Sequence, residues 1–132
     1  MVSGNISSIY NMATKHDYKQ LDAYIESKKL VKMVYVLLRK FPKEEQYALC
    51  DQLRRAVISV PSNVAEGLGR YSVKEQVHFL EIAYGSLREV DCQIDIAYDL
   101  GYVTAGETKA VVEQIEKVSA IIAGLRSRRV ND

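Results

Sequence analysis

Residues 54–89 read RRAVISVPSNVAEGLGRYSVKEQVHFLEIAYGSLRE, and two helical periods meet inside this stretch. Val57, Val60 and Val64 step by three and four, and Val73, Val77, Leu80, Tyr84 and Leu87 do the same, which puts each set on one helix face. Two such faces joined by a short turn can bury each other, so the stretch reads as a helical hairpin. In the turn, Gly67 and Gly69 allow a left-handed helix end, and Ser72 followed by Glu75 predicts a capping box for the second helix.

Toward the N-terminus, Tyr24, Val31, Val34, Leu38 and Phe41 form one stripe, widened by Leu30 and Leu37, which predicts helix one over residues 17–40. Pro42 suits the first turn of helix two, where its missing N–H removes a donor that would go unsatisfied anyway, and Glu44 and Glu45 favour that end of the dipole. The stripe of helix two is Tyr47, Cys50, Leu53, Val57, Val60 and Val64, ending near Leu68. Pro61 cannot donate to the carbonyl of Val57, so a kink is expected there. Either Ser62, Asn63 and water satisfy the freed backbone, or the kink presents Arg55, Ser59, Ser62 and Glu66 as one polar row for a partner.

Toward the C-terminus, helix three starts at Ser72 and carries Val73, Val77, Leu80, Tyr84, Leu87, Ile94 and Tyr98, interrupted by Asp91. A second apolar line, Phe79, Ile82, Ala83, Val90 and Ala97, widens the buried arc and predicts more than one neighbour. Gly85 costs this helix up to ~1 kcal/mol relative to alanine and permits close backbone approach. Gly101 ends the helix, Thr104 and Glu107 make a second capping box, and Val111, Ile115, Val118, Ile122 and Leu125 form the stripe of helix four. Four long helices on short turns predict an all-α, up-down-up-down, left-handed four-helix bundle over residues 18–126. A loose arm over residues 1–17 precedes it and a basic tail over residues 127–132 follows.

At 132 residues the chain suits one domain, and 48% hydrophobic with 27% charged residues are globular values. No stretch approaches the roughly 20 uninterrupted apolar residues of a membrane span, so no membrane partner is expected. The start, Met1-Val2-Ser3-Gly4-Asn5, has neither a basic n-region nor an apolar h-region, which predicts a cytoplasmic location with Cys50 and Cys92 as reduced thiols in or near the core. The net charge of +1 argues against a surface that traps nucleic acid as a whole. Local clusters remain: Lys28-Lys29 with Lys32, Arg39-Lys40 with Lys43, Arg54-Arg55, and Arg126 with Arg128-Arg129. Taken singly, each reads first as the solvated face of a helix.

Catalytic chemistry finds little support. Glu75 and His78 have the Glu-x-x-His step of di-metal bundles, but the second histidine, His16, lies in the arm without that spacing, and Glu75 already serves the capping box. Ser62 and Ser86 have no histidine at a motif spacing, and Gly67-Leu68-Gly69 is explained by the turn without a phosphate. Glu66 and Glu89 could approach each other across the hairpin, although pairing with Arg55, Arg70 or Arg88 explains them more simply. No catalytic residue, metal or cofactor is expected, and the chain reads as a non-enzyme.

A resemblance adds to this reading. Phe41-Pro42-Lys43-Glu44-Glu45, Gln52-Leu53-Arg54-Arg55-Ala56, Pro61-Ser62-Asn63-Val64-Ala65-Glu66-Gly67, Arg70-Tyr71-Ser72 with Lys74-Glu75, Ala83-Tyr84-Gly85-Ser86-Leu87-Arg88-Glu89 and Leu100-Gly101-Tyr102 occur in that order. Over residues 23–125 the chain resembles the four helix bundle protein family, also known as ribosomal RNA intervening-sequence proteins. The resemblance implies a homo-oligomer, a pentameric ring, and an association with RNA or DNA, because some relatives are encoded within inserts of large-subunit ribosomal RNA genes and others accompany a reverse transcriptase. It implies nucleic-acid contact at Arg54, Arg55, Arg70 and Lys74, and it marks Ser62, Asn63, Glu66, Ser86 and Glu89 as polar residues of the family motif. Such contacts go mainly to phosphates and give affinity without sequence specificity. The competing expectation is a homo-oligomeric protein-interaction scaffold, supported by the wide apolar arc of helix three and by nine tyrosines, a residue type favoured at interfaces.

Overall fold

A computed structural model describes residues 21–131. It contains four α-helices, α1 (Asp22–Leu38), α2 (Leu49–Leu68), α3 (Val73–Asp99) and α4 (Ala105–Val130), with a 3-10 turn at Lys43–Glu45 and no strand among the described residues. The expected arm over residues 1–17, with His16 in it, lies outside the described residues, as do residues 18–20.

Each helix packs on two neighbours, α1 on α2, α2 on α3, α3 on α4 and α4 on α1, around one apolar core. Leu30 and Val34 of α1, Leu53, Val57, Val60 and Val64 of α2, Leu80, Leu87 and Ile94 of α3, and Val118 of α4 are wholly buried. Burial of each such side chain contributes about 1.5–3 kcal/mol, so this interior, and not helix propensity, holds the helices in place. The five-residue stripe predicted for α4 is buried throughout. No helix among the described residues is long and apolar enough to cross a membrane.

The α2–α3 hairpin is set by side chains that meet across it. Gln93 Nε2 donates to Gln52 Oε1 at 3.2 Å, and the Ser59 and Ser86 hydroxyls lie 2.8 Å apart. Seven residues forward on α2 therefore match seven back on α3. Near the turn, a Cβ on Gly67 would stand 2.9 Å from Phe79 Cβ and 3.2 Å from the Gln76 carbonyl oxygen, so the glycine lets the two backbones close together. At Gly85, where sequence suggested such an approach, nothing lies within 4 Å of the corresponding position.

The ends of the helices show how local chemistry and tertiary contacts divide the work. Thr104 caps α4 with a complete box, Glu107 N donating to Thr104 Oγ1 at 3.1 Å and Thr104 N donating to Glu107 Oε1 at 2.8 Å. Ser72 caps α3 with only half of one: Glu75 N reaches Ser72 Oγ at 3.1 Å, while the Glu75 carboxylate turns toward Arg70, 3.7 Å away. Gly101 ends α3 at φ 81°, with Tyr102 N donating to Ala97 O at 2.9 Å and Gly101 N to Tyr98 O at 3.0 Å. The expected left-handed end at Gly67 and Gly69 is not formed. Gly69 stays right-handed at φ −91°, and the turn closes through short-range bonds from Gly69 N to Glu66 O and Arg70 N to Gly67 O.

Three further expectations are corrected. Helix two does not begin at Pro42: that residue precedes the 3-10 turn, Ala48 leaves helical geometry, and α2 starts at Leu49. Tyr102 holds this corner by donating its hydroxyl to Glu45 Oε2 at 2.8 Å and packing on the Phe41 ring at 5.3 Å. Tyr47 consequently leaves the stripe and is 92% exposed. On α3 the buried line runs through Leu80, Ala83, Leu87, Val90, Ile94 and Ala97, while Tyr84, Ile82, Tyr98 and Cys92 are exposed. The core takes the members of both predicted lines that face α2 and α4, and leaves Tyr84 and Tyr98 of the first and Ile82 of the second outside. Finally, α4 continues to Val130, so Arg128 and Arg129 belong to its last turn and not to a separate tail.

Candidate functional site

A polar seam crosses the α2–α3 hairpin. Ser86 is buried, and its hydroxyl meets that of Ser59; Asn63 Nδ2 donates to both the Ser59 carbonyl at 2.8 Å and the Ser59 hydroxyl at 2.9 Å. Asn63 therefore braces α2 one turn back and does not reach the Val57 carbonyl that Pro61 leaves free. Toward the N-terminal end of α2 the seam opens into a groove of about 370 Å³, lined by Gln52, Arg55, Ala56, Ser59, Glu89 and Gln93. Along α2, Arg55, Ser62 and Glu66 are exposed and Ser59 is half-buried, so the predicted polar row is presented outward.

Glu66 and Glu89 do not meet. In the register set by Ser59 and Ser86, Glu66 stands at the level of residue 79, ten residues and roughly 15 Å along α3 from Glu89. Glu66 instead accepts from Arg70 Nη2 at 2.6 Å, while Glu89 stays on the groove rim.

The four basic residues of the motif form two separate pairs. Arg54 donates through Nη2 to the Gln46 carbonyl at 2.9 Å, which ties it to the corner before α2. Arg55 meets Asp51 through Nε at 3.2 Å, and its side chain remains 79% exposed. Arg70, roughly 20 Å away along α2, is held by Glu66 and Glu75 and lies over the Phe79 ring at 4.7 Å. Lys74 is exposed beside it and forms no ion pair among the described residues. The end of α4 joins this second pair: Arg129 Nε donates to Gln76 Oε1 at 2.8 Å, and Gln76 Nε2 donates to the Arg70 carbonyl at 2.7 Å. Arg128 is exposed alongside, and Arg126 is engaged by Glu81 at 2.7 Å. Both ends of the α2 surface thus carry guanidinium groups, with a carboxylate beside Arg55 at one end and beside Arg70 at the other.

A different device joins α1 to α4. The buried carboxylate of Glu26 accepts from Gln114 Nε2 at 3.0 Å and Lys29 at 2.9 Å, with Lys117 at 3.4 Å. The Gln114 amide and the Lys29 ammonium together hold Glu26 down to about 2 against an ordinary 4.5. These bonds are spent on packing two helices together and leave no reactive group exposed.

Elsewhere the chemistry is quiet. Glu75 and His78 are both exposed, His78 packing edge-on against Phe79 at 5.3 Å, and no three His, Cys, Asp or Glu side chains converge among the described residues. Burial pushes the Cys50 thiol up, away from the reactive thiolate. What sequence reasoning missed were the buried polar residues Glu26 and Gln93, the latter bonded to the exposed Gln52. A signal existed for Gln93: it stands three after Val90 and four before Ala97, a polar residue at helical spacing inside the second apolar line of α3.

A family model described as 23S rRNA-intervening sequence protein matches residues 19–124. No curated protein matches the chain.

Proposed function

From the premise that the chain belongs to the 23S rRNA-intervening sequence protein family, we propose that it is a non-enzymatic, cytoplasmic, homo-oligomeric bundle that associates with structured RNA through basic surface clusters. The family's description, which ties its members to intervening sequences of 23S rRNA, is the observation that carries this reading. The means of contact are Arg54 and Arg55 at one end of α2, and Arg70 and Lys74 at the other with Arg128 of α4, half-exposed or exposed side chains at the surface. Partly neutralised guanidinium groups exchange a carboxylate for a phosphate without a large change in their own solvation, so such clusters bind backbone and not sequence. The reading includes an up-down-up-down, left-handed order of helices, supported by the cyclic packing and short connections.

Assembly belongs to the same reading. Ile82, Tyr84, Ile96 and Tyr98 of α3 are each 38–45% exposed in the single chain, an apolar surface that another copy can cover. The family resemblance favours a ring of five, which gathers the basic clusters of every subunit on one assembly. The test is a mobility shift on structured RNA: replacing Arg54 and Arg55 together by glutamine weakens retention and makes the salt slope shallower by roughly one unit for each phosphate no longer held. No shift by the wild type at low salt overturns the RNA reading. In that case the second reading, an oligomeric protein-interaction scaffold, is the one favoured by the exposed side chains of α3. Light scattering that gives a monomer mass at micromolar protein refutes the assembly in both.

A further inference from the structure

Two aromatic side chains stand out of the surface further than any other large apolar residue. Tyr47 is 92% and Tyr71 81% exposed, while no other exposed large apolar side chain among the described residues passes 55%. Neither belongs to a helix: Tyr47 lies in the corner before α2, and Tyr71 in the turn between α2 and α3. Their surroundings differ. At Tyr47 the nearby Lys43 and Glu44 are both exposed and form no ion pair among the described residues, so their charges offset each other. At Tyr71 the carboxylates are already spent, Glu66 and Glu75 on Arg70 and Glu81 on Arg126. Lys74, in the first turn of α3, and Arg128, in the last turn of α4, are exposed, and their side chains form no ion pair or hydrogen bond among the described residues. The turn itself is fixed. Arg70 N donates to Gly67 O at 3.1 Å, the Arg70 carbonyl accepts from Gln76 Nε2 at 2.7 Å, and Gln76 Oε1 accepts from Arg129 Nε at 2.8 Å, which brings the end of α4 against it. The Tyr71 side chain makes no hydrogen bond or ring contact among the described residues. An open aromatic face and two uncommitted cations thus share one fixed corner.

A ring among cations is how proteins hold single strands: the cations take the phosphates, and a base stacks on the ring whatever its identity. A duplex offers the ring no such face, because its bases are already stacked on one another. A protein partner would meet the ring amid apolar neighbours that exclude water, and within residues 70–74 only Val73 is aliphatic. We propose that Tyr71 stacks on an unpaired base of RNA while Lys74 and Arg128 hold the phosphates beside it. This rests on the RNA reading above and narrows its substrate to the unpaired nucleotides of a loop or single strand. Tyr47, equally open but set beside an unpaired carboxylate that repels phosphate, does not take part.

The experiment measures fluorescence anisotropy of three labelled RNAs: an adenosine decamer, the same decamer with abasic central nucleotides, and a duplex of the same length. The intact single strand is expected to bind roughly fivefold or more tightly than the abasic one, the lower end of what one base stacked on an aromatic side chain is worth. Tyr71→Ala is expected to erase that preference, leaving duplex binding, the urea midpoint and the mass in light scattering unchanged. Tyr71→Phe, which keeps the ring, and Tyr47→Ala are expected to retain the preference. Lys74→Gln is expected to weaken the intact and abasic strands alike and to make the salt slope shallower by about 0.7, the single-strand value for one phosphate. Equal binding of the intact and abasic strands by the wild type, a preference that survives Tyr71→Ala, or an equal loss of duplex binding in that variant overturns the site and leaves the RNA reading standing. A fall in mass on Tyr71→Ala assigns the ring to a contact between copies and overturns the site as well. Binding of none of the three RNAs by the wild type refutes the RNA reading and the site with it.

Discussion

Replacing Gly67 by alanine tests the packing that joins α2 to α3. A methyl group there would stand 2.9 Å from Phe79 Cβ and 3.2 Å from the Gln76 carbonyl oxygen. Neither neighbour is the tip of a flexible side chain, since one is fixed to the α3 backbone and the other belongs to it. The two helices must separate by a few tenths of an ångström beside Val64 and Leu80, both wholly buried. Overpacking of this kind costs about 1–3 kcal/mol, and alanine returns about 0.5–1 kcal/mol of helix propensity, so the net loss is about 0.5–2 kcal/mol. With an unfolding entropy of ~2.1 cal/mol/K per residue, that corresponds to a fall in Tm of about 2–8 °C. Gly85 supplies the control: nothing lies within 4 Å of its would-be Cβ, so Gly85→Ala gains propensity alone and stabilises the fold by up to ~1 kcal/mol. Urea unfolding followed by far-ultraviolet circular dichroism gives both values, with light scattering in parallel to keep folding apart from assembly. A Gly67→Ala protein as stable as wild type, or more so, refutes the close approach of the two backbones.

The caps provide a graded comparison: Thr104→Ala, which dismantles a two-bond box, is expected to lower stability by about 1–2 kcal/mol, and Ser72→Ala, which removes a single bond, by about 0.5–1 kcal/mol. Equal denaturation midpoints for the two variants would count against that difference. Glu26 and Glu107 both have carboxyls held below their ordinary value in the folded chain, Glu26 by Gln114 and Lys29, Glu107 by Lys40 and its own cap. Their contribution is present above the unfolded value of 4.5 and is lost as pH falls, for Glu26 through about 2. A Glu26→Gln protein is therefore less stable than wild type at pH 7 and nearly matches it at pH 2, as read from urea midpoints at the two pH values.

How much was legible beforehand differs from helix to helix. The α4 stripe needed only its spacing, because Val111, Ile115, Val118, Ile122 and Leu125 are the only large apolar line with a consistent period there. The stop at Gly101 and the cap at Thr104 were equally plain, since each rests on a residue's own backbone or side-chain chemistry within one turn. On α3 two apolar lines competed, and spacing alone ranked Tyr84 and Tyr98 with Leu80 and Leu87. Those tyrosines are exposed because burial is decided by where α2 and α4 lie, which no local pattern contains. The corner before α2 depends on Tyr102 reaching Glu45 across 57 positions of sequence, and this moved the helix start from Pro42 to Leu49.

The sequence by itself determined the four helices, the stop at Gly101, the cap at Thr104 and most of the core, because those follow from residues three to seven positions apart, and it placed the chain in its family through an ordered set of irregular motifs. Only the tertiary structure decided which polar residues face each other: that Ser86 meets Ser59, that Gln93 is buried with one oxygen unanswered, and that Glu66 and Glu89 stand apart. The physical reason is register. A shift of one helical turn between α2 and α3 preserves every stripe and cap while changing every partner across the seam, and what fixes that register is the fit of side chains at the crossing, down to the missing methyl of Gly67.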